Sequence, residues 1–118
     1  MPSFQQPIEI GPADGSRFQR LIAQADANLT YAVFPAPVLN MLGIEPAWSQ
    51  VFQLAAGGEK EVQLAEIRVR LEGQERTTVC VFGDADSQPA LGRHTLEAFG
   101  LVADEASQRL VEAGLILG

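Results

Sequence analysis

The amino-acid sequence predicts a mainly β fold with two short helices. Short apolar segments rich in β-branched and aromatic residues recur along the chain, and clusters of Gly, Pro, Asn and Asp separate them. Only two segments combine the signals that begin and end a helix. With 118 residues, of which 47% are hydrophobic and 19% charged, the chain can bury one core, so we treat residues 1–118 as a single domain.

The first part of the chain is predicted to contain three strands and one helix. The strands are Phe4–Ile10, Phe18–Ala25 and Leu29–Phe34. The first two form a hairpin, because the turn signals Gly11-Pro12 and Asp14-Gly15 lie between them. A short helix begins at Pro35 and extends through Leu42. Gly43 ends it, since glycine adopts the left-handed conformation that follows many helices.

The middle of the chain is predicted to form a long hairpin. Its two strands are Val51–Ala56 and Glu59–Leu71. Between them lies Gly57-Gly58, which is typical of a two-residue hairpin turn. In the second strand the apolar residues change from even positions, up to Leu64, to odd positions, from Ile67 onwards. Because strand side chains alternate between faces, this change predicts a β-bulge near Ala65-Glu66.

The C-terminal part is predicted to contain three further strands and a second short helix. After a turn at Gly73, these elements are the strand Thr77–Phe82, the helix Arg93–Phe99, and the brief strands Leu101–Ala103 and Arg109–Val111. Gly100 ends the helix. An apolar tail of Leu115, Ile116 and Leu117 follows, and exposure of these three side chains in a monomer favours a role in an interface.

The composition excludes several classes of partner and site. Eight Lys and Arg residues against 15 Asp and Glu residues give a formal net charge of −7, so we expect no nucleic-acid or membrane partner. We expect a cytoplasmic protein, since the start resembles no signal peptide and no apolar run approaches the roughly 20 residues of a membrane helix. A single Cys and a single His exclude an intrachain disulfide and His-rich metal sites, and we expect no cofactor.

Two groups of residues have reactive side chains, but a simpler interpretation exists for each. Cys80 and His94 could form a nucleophile pair, yet Cys80 lies in the apolar segment 79–82, where a buried and inert thiol is expected. Asp84 and Asp86 could offer two carboxylates to a metal, yet their segment is typical of an ordinary polar turn. We expect His94 to be a surface or capping residue.

Residues 26–35 form the most informative segment and read Asp-Ala-Asn-Leu-Thr-Tyr-Ala-Val-Phe-Pro. An acid lies at a strand–turn junction, and a strand, a proline and a helix ending in Leu42-Gly43 follow it. This segment resembles the active-site segment of retropepsin-like aspartic proteases of clan AA. In that family Asp-Thr-Gly-Ala is followed by Thr, Val, Leu-Pro and a helix that ends in Leu-Gly.

The rest of the chain extends this resemblance. Residues 90–97 read Ala-Leu-Gly-Arg-His-Thr-Leu-Glu, residues 99–104 read Phe-Gly-Leu-Val-Ala-Asp, and residues 108–111 read Gln-Arg-Leu-Val. These runs are similar to the Leu-Leu-Gly-Arg, Leu-Glu, Gly-Leu, Val-Asp and Arg-Leu-Val pattern of the single-lobe bacterial members. Residues 54–58 fall where those relatives carry Leu-Ala-Asp-Gly at the tip of a flap. In order and spacing, the motifs cover nearly the whole chain.

The resemblance implies a closed β lobe that works as a two-fold homodimer. Aspartic proteases place two carboxylates about 3 Å apart, so that one stays protonated while the other accepts a proton from the attacking water. Asp26 from each subunit would supply this pair. The hairpin with Ala56, Gly57 and Gly58 would be the flap, and the segment 115–117 would interleave at the dimer interface. The implied partners are a second copy and a polypeptide substrate or peptide ligand.

Three positions depart from the family pattern at its catalytic features. The family Thr after the catalytic Asp is Ala27, which loses a hydroxyl whose hydrogen bond is worth about 1 kcal/mol or more. The family Gly is Asn28, the commonest replacement at positive φ, and its side chain could hydrogen-bond Asp26 or block the water. At the flap, Ala56 replaces the family Asp. Leu29 completes the altered turn.

These observations leave three hypotheses. In the first, the chain is an endopeptidase that uses Asp26 of both subunits to activate water. In the second, it is a catalytically silent dimer whose cleft binds a strand-like peptide. The third is a purely structural or oligomerisation role. Taken without its surroundings, Asp26 would be interpreted as a turn-capping carboxylate at the end of a strand.

Overall fold

The computed structural model describes residues 3–118, and these residues form nine strands and two short helices. The strands are β1 (Ser3–Pro12), β2 (Gln19–Asp26), β3 (Ala32–Pro35), β4 (Trp48–Gln53), β5 (Glu59–Leu71), β6 (Gln74–Gly83), β7 (Ala90–Leu91), β8 (Leu101–Asp104) and β9 (Arg109–Glu112). The helices are α1 (Ala36–Met41) and α2 (Arg93–Ala98). The mainly β fold with two short helices is therefore confirmed.

Seven strands form one sheet in the order β1-β2-β7-β3-β6-β5-β4. The sheet closes on itself, because β1 also pairs with β5 from Glu9↔Arg70 to Pro12↔Ile67. An ion pair lies at this seam, where Arg70 Nη1 is 3.7 Å from Glu9 Oε1. The Arg70 guanidinium also stacks on the Phe18 ring, 3.6 Å from its centroid. Closure leaves β4 as an edge strand of the sheet.

The short strand β7 lies between two strands that are joined by a single loop. It runs parallel to β2, with Ala25 opposite Leu91, and antiparallel to β3, with Val33 opposite Ala90. Leu91 is fully buried, and the Gln24 N–H donates to the Pro89 carbonyl over 2.9 Å. The loop from β2 to β3 therefore spans the width of β7, which lies between these two strands.

The core lies inside the closed sheet and against the two helices. Its fully buried members come from six strands and from α1, and they include Ile10, Phe34, Leu39, Ile67 and Val69. In α2, Thr95 is fully buried, and its hydroxyl lies 3.4 Å from the Thr78 hydroxyl of β6. Burial of these apolar side chains supplies the main driving force of folding.

Glycines end both helices as predicted. Gly43 follows α1 with φ of 77°, and Gly100 follows α2 with φ of 69°. Pro35 lies at the N-cap of α1. The hairpin of β1 and β2 is confirmed, with Phe4 opposite Ala25.

The predicted β-bulge near Ala65-Glu66 is wrong. The register between β5 and β6 is continuous from Leu64↔Val81 to Leu71↔Gln74. Leu64 and Ile67 are both fully buried although they face opposite sides of the strand. The apolar residues change parity because β5 is covered on both faces at this point, and no residue is inserted.

Two predicted strands each include three residues that lie in a loop of the structure. The segment predicted as Leu29–Phe34 is a strand only from Ala32, since residues 29–31 form turns and bends. The segment predicted as Val51–Ala56 is a strand from Trp48 to Gln53. In each case a loop takes residues that the apolar pattern assigned to a strand, and both loops belong to the site described below.

Within residues 3–118, no helix is long and apolar enough to cross a membrane. Cys80 is fully buried in β6, as expected from its apolar neighbours. Burial raises the pKa of the Cys80 thiol to about 12, because the low-dielectric surroundings disfavour the thiolate.

We predict that the Cys80 thiol of the native chain does not react with iodoacetamide between pH 7 and pH 9. The neutral thiol is a poor nucleophile, and its pKa of about 12 keeps it protonated over this range. Mass spectrometry of the alkylated chain measures the reaction. The same chain in concentrated urea is the positive control, and labelling of the native chain as fast as in urea would contradict the assigned burial.

Candidate functional site

Asp26 is the last residue of β2 and lies at the mouth of the β2–β3 loop. Its side chain is half-buried, whereas Ala25 before it is fully buried. Two neighbours fix the end of β2, since Asp26 pairs with Ser3 of β1 and Ala25 pairs with Leu91 of β7. The carboxylate therefore leaves the core at a defined point of the sheet.

Asp26 also caps the turn that follows it. The Asn28 N–H donates to Asp26 Oδ1 over 3.0 Å, and the Leu29 N–H donates to the Asp26 carbonyl over 3.2 Å. Among the described residues, Asp26 Oδ2 has no protein partner. The turn-capping interpretation is confirmed, and one carboxylate oxygen stays available to accept a proton.

The N-terminus of α2 holds the rest of the loop. The Arg93 N–H donates to the Leu29 carbonyl over 2.7 Å, and the His94 N–H donates to the Thr30 carbonyl over 2.9 Å. These are two of the amides that a helix leaves without internal partners. They explain why residues 29–31 do not continue as a strand.

Gly92 allows the loop and α2 to approach each other this closely. It is buried, and a Cβ at this position would collide with the backbone of Tyr31, whose nitrogen would be 2.9 Å away. Its φ of −86° suits any residue, so the requirement for glycine is steric. The Leu-Gly-Arg run at residues 91–93 thus has a local packing role.

The two altered turn residues, Ala27 and Asn28, are both exposed, and Leu29 is half-buried. Asn28 does not have the positive φ that its resemblance to a glycine position suggested. Within residues 3–118, Glu72 and Gln108 are the non-glycine residues with positive φ. The hydrogen bond between Asn28 and Asp26 comes from the backbone N–H of Asn28.

The β4–β5 hairpin is exposed along its tip. Its loop spans five residues, from Leu54 to Gly58, and the Leu54 N–H donates to the Gly58 carbonyl over 3.0 Å. The predicted two-residue turn is therefore too short. Gly57 and Gly58 have φ of 97° and 90°, values that favour glycine, and Ala56 lies inside the loop beside them.

Aromatic side chains join this hairpin to the Asp26 loop. The Tyr31 ring lies 5.9 Å from the Phe52 ring of β4 and 5.2 Å from the His94 ring of α2, measured between centroids. This cluster was not predicted from the sequence, although an aromatic residue five positions after Asp26, in a polar turn, is a local indication of it. His94 is exposed, as expected.

The remaining acidic pair, Asp84 and Asp86, lies in an exposed polar turn. Ser87 closes it, since its hydroxyl donates to the Asp84 carbonyl over 2.7 Å. Lys60 of the β4–β5 hairpin lies 3.8 Å from the Asp84 carboxylate. No cluster of three or more His, Cys, Asp or Glu residues suited to a metal ion occurs within residues 3–118.

The C-terminal tail lies apart from the core. Leu115, Ile116 and Leu117 are 75%, 93% and 104% exposed. The tail follows a separate two-stranded sheet of β8 and β9, in which Val102 is 45% exposed. A two-stranded sheet has little stability of its own. Within residues 3–118 the outer edges of β8 and β9 pair with no further strand, so they can accept additional strands.

Three surface cavities lie away from Asp26. Their volumes are about 360, 460 and 340 Å³, and they lie beside the β5–β6 turn, beside the β8–β9 sheet, and between α2 and β6. Asp26 is not among the lining residues of any of the three. A peptide that contacts the Asp26 carboxylate would therefore bind outside these three cavities.

Comparison with solved structures identifies the fold. The chain is similar to the EIAV protease in its complex with the inhibitor HBY-793, with a TM-score of 0.63, 15% identity, and coverage of 97% of this chain and 92% of that one. It is also similar to the protease of simian foamy virus (mac), with a TM-score of 0.58, 16% identity, and coverage of 80% and 92%. No protein-family model and no curated protein matches the chain.

These likenesses confirm a retropepsin-like fold, which the sequence resemblance predicted. At 15–16% identity they establish the fold alone.

We predict that Gly92→Ala destabilises the chain by about 1–3 kcal/mol, because the added methyl group collides with the Tyr31 backbone. Urea unfolding followed by circular dichroism measures the change. Gly114→Ala is the matched control, since a Cβ at Gly114 meets nothing within 4 Å. Equal unfolding midpoints of the two variants would contradict the packing role of Gly92.

Proposed function

We propose that the chain is an aspartic endopeptidase of the single-lobe retropepsin type that acts as a two-fold homodimer. The observation that carries the proposal is the position of Asp26, which ends a core strand and projects a half-buried carboxylate from the sheet. The chain shares its fold with two proteins described as proteases, one of them bound to an inhibitor. Retropepsin chemistry needs an acid at this strand–turn junction.

In the proposed reaction the two Asp26 carboxylates share one proton, because two negative charges at such close range cannot both persist. The ionised carboxylate accepts a proton from water as the water oxygen attacks the peptide carbonyl carbon. The protonated carboxyl group donates its proton to the carbonyl oxygen. Collapse of the tetrahedral intermediate returns that proton to one carboxylate, transfers the other to the leaving nitrogen and breaks the C–N bond.

A homodimer is required because each chain contributes a single Asp at this position. The exposed Ile116 and Leu117 side chains and the unpaired edges of the β8–β9 sheet support an interface at this end. Strands from two copies would complete a larger sheet and bury the apolar tail. The exposed β4–β5 hairpin would then act as the flap over a peptide.

A second function, a catalytically silent peptide-binding dimer, is favoured by the composition of the turn. Ala27 has no hydroxyl to bond across the dimer axis, and Asn28 is an exposed polar side chain next to Asp26. In this alternative the edge strand β4 pairs with an extended peptide through its free backbone groups. The first function requires turnover at Asp26, and the second requires only binding.

We predict that the natural chain cleaves an unfolded polypeptide slowly between pH 4 and pH 7, and that Asp26→Asn abolishes cleavage. Loss of activity follows because an amide cannot accept the proton of the attacking water. The double substitution Ala27→Thr with Asn28→Gly is expected to accelerate cleavage by about tenfold or more, since it restores hydrogen bonds around the dyad. Mass spectrometry of the peptide products measures all three reactions.

The matched control for this experiment is Asp86→Asn, which removes an exposed carboxylate outside both the β2–β3 loop and the β4–β5 hairpin. It is expected to cleave as the natural chain does. Absence of cleavage by both the natural chain and the restored double variant would exclude the endopeptidase and leave the peptide-binding function.

We predict that the chain sediments as a dimer at micromolar concentration and that Ile116→Ser with Leu117→Ser weakens the dimer at least about tenfold. The reason is the loss of apolar area from side chains that are 93% and 104% exposed in one chain. Analytical ultracentrifugation measures the association. Met41→Ser is the control, because Met41 is 69% exposed but belongs to α1. A stable monomer at these concentrations would contradict the dyad and both dimeric functions.

A further inference from the structure

Tyr31 is the side chain through which the Asp26 loop, the β4–β5 hairpin and α2 meet. Its ring contacts Phe52 at 5.9 Å with an interplanar angle of 59°, and His94 at 5.2 Å with an angle of 72°. Tilted and edge-on geometries are the favourable ones for aromatic pairs. One half-buried ring therefore contacts two elements that lie on either side of the loop.

The outer strand of the hairpin, β4, lies at the edge of the sheet. β4 pairs on one side only, with β5, and Phe52 is its one residue that is not exposed. The ion pair of Lys60 with Asp84 is 3.8 Å long, and its side chains are 53% and 75% exposed, so water and salt weaken it. The Tyr31–Phe52 contact is an apolar link between the hairpin and the loop.

The backbone around Tyr31 is fixed by contacts with the start of α2. Its backbone packs on Gly92, and the carbonyl of Thr30 before it accepts the His94 N–H over 2.9 Å. The imidazole of His94 then contacts the ring edge-on. A ring that is fixed by its own backbone and by a helix can restrain a neighbouring segment.

We propose that Tyr31 is a positioning residue that holds the β4–β5 hairpin over Asp26. This role rests on the proposed function, in which Asp26 is the group that reacts with the peptide or faces it. The Tyr31 ring restrains the hairpin by packing on Phe52, and the hydroxyl is not needed for this restraint. Hairpin position controls how tightly a peptide is held beside the carboxylate, so Tyr31 acts on peptide affinity rather than on the bond-breaking step.

The test measures amide hydrogen exchange of the full chain by NMR in the natural protein, Tyr31→Ala and Tyr31→Phe. Loss of the ring is expected to speed exchange of the amides of β4 and of residues 59–63 by about two- to tenfold, the range of one aromatic contact. Tyr31→Phe is expected to exchange as the natural chain does. The β1–β2 amides report whether the rest of the fold is intact in each variant.

A matched control lies on the same strand. Val51 is 57% exposed and, as the neighbour of Phe52, faces the opposite side of β4. Val51→Thr keeps the shape and the β-branch of the side chain, so it is expected to leave hairpin exchange unchanged. Phe52→Ala in the Tyr31→Ala background is expected to add little, because the contact is already lost.

Two outcomes would overturn the inference. One is hairpin exchange in Tyr31→Ala equal to that of the natural chain. The other is equal acceleration in Tyr31→Phe and Tyr31→Ala, which would assign the restraint to the hydroxyl. The exchange experiment involves no turnover, so it can fail while Asp26-dependent cleavage is observed, and it can succeed when no cleavage occurs. Where cleavage occurs, Tyr31→Ala is expected to raise KM by about two- to tenfold with little change in kcat.

Discussion

The candidate site depends on the hydrogen bonds between the start of α2 and the loop that follows Asp26. The Arg93 and His94 amides bond the carbonyls of Leu29 and Thr30, and Gly92 brings the two backbones together. Without these bonds, the apolar pattern of residues 29–34 would favour a strand that starts earlier. A backbone interaction thus converts the start of a strand into a turn and places Asp26 at its mouth.

The same arrangement explains why changes in the turn side chains are compatible with the fold. Ala27 and Asn28 are exposed, and the bonds that shape the turn come from the backbone and from Asp26. Because Asn28 is not in the left-handed region, an asparagine at this position introduces no backbone strain. The scaffold can therefore persist whether or not the turn supports catalysis.

Local signals predicted much of the fold. Gly43 and Gly100 end the two helices, and the two long hairpins follow from turn residues between apolar segments. The features that the sequence did not predict have a common cause, which is contact between segments that are distant in the chain. Two-residue β7 has no periodicity to detect, and both faces of β5 around Leu64 and Ile67 are covered only in the folded sheet. In the site, the position of Asp26 was predicted from its motif, but the Tyr31–Phe52 contact joins residues whose proximity no local pattern encodes.

The insertion of β7 has a consequence for how the chain acquires its structure. Gln24 pairs with Ala90, so two strands at the centre of the sheet are 66 positions apart in the chain. Closing such a loop costs entropy before any contact repays it, and non-local parallel pairing slows folding. During synthesis, the segment with Asp26 is made before residues 90–94. Its loop is complete only when the backbone groups of those residues are present to bond it. Nascent or truncated chains consequently lack an ordered site, and any activity arises only in chains that extend at least to α2.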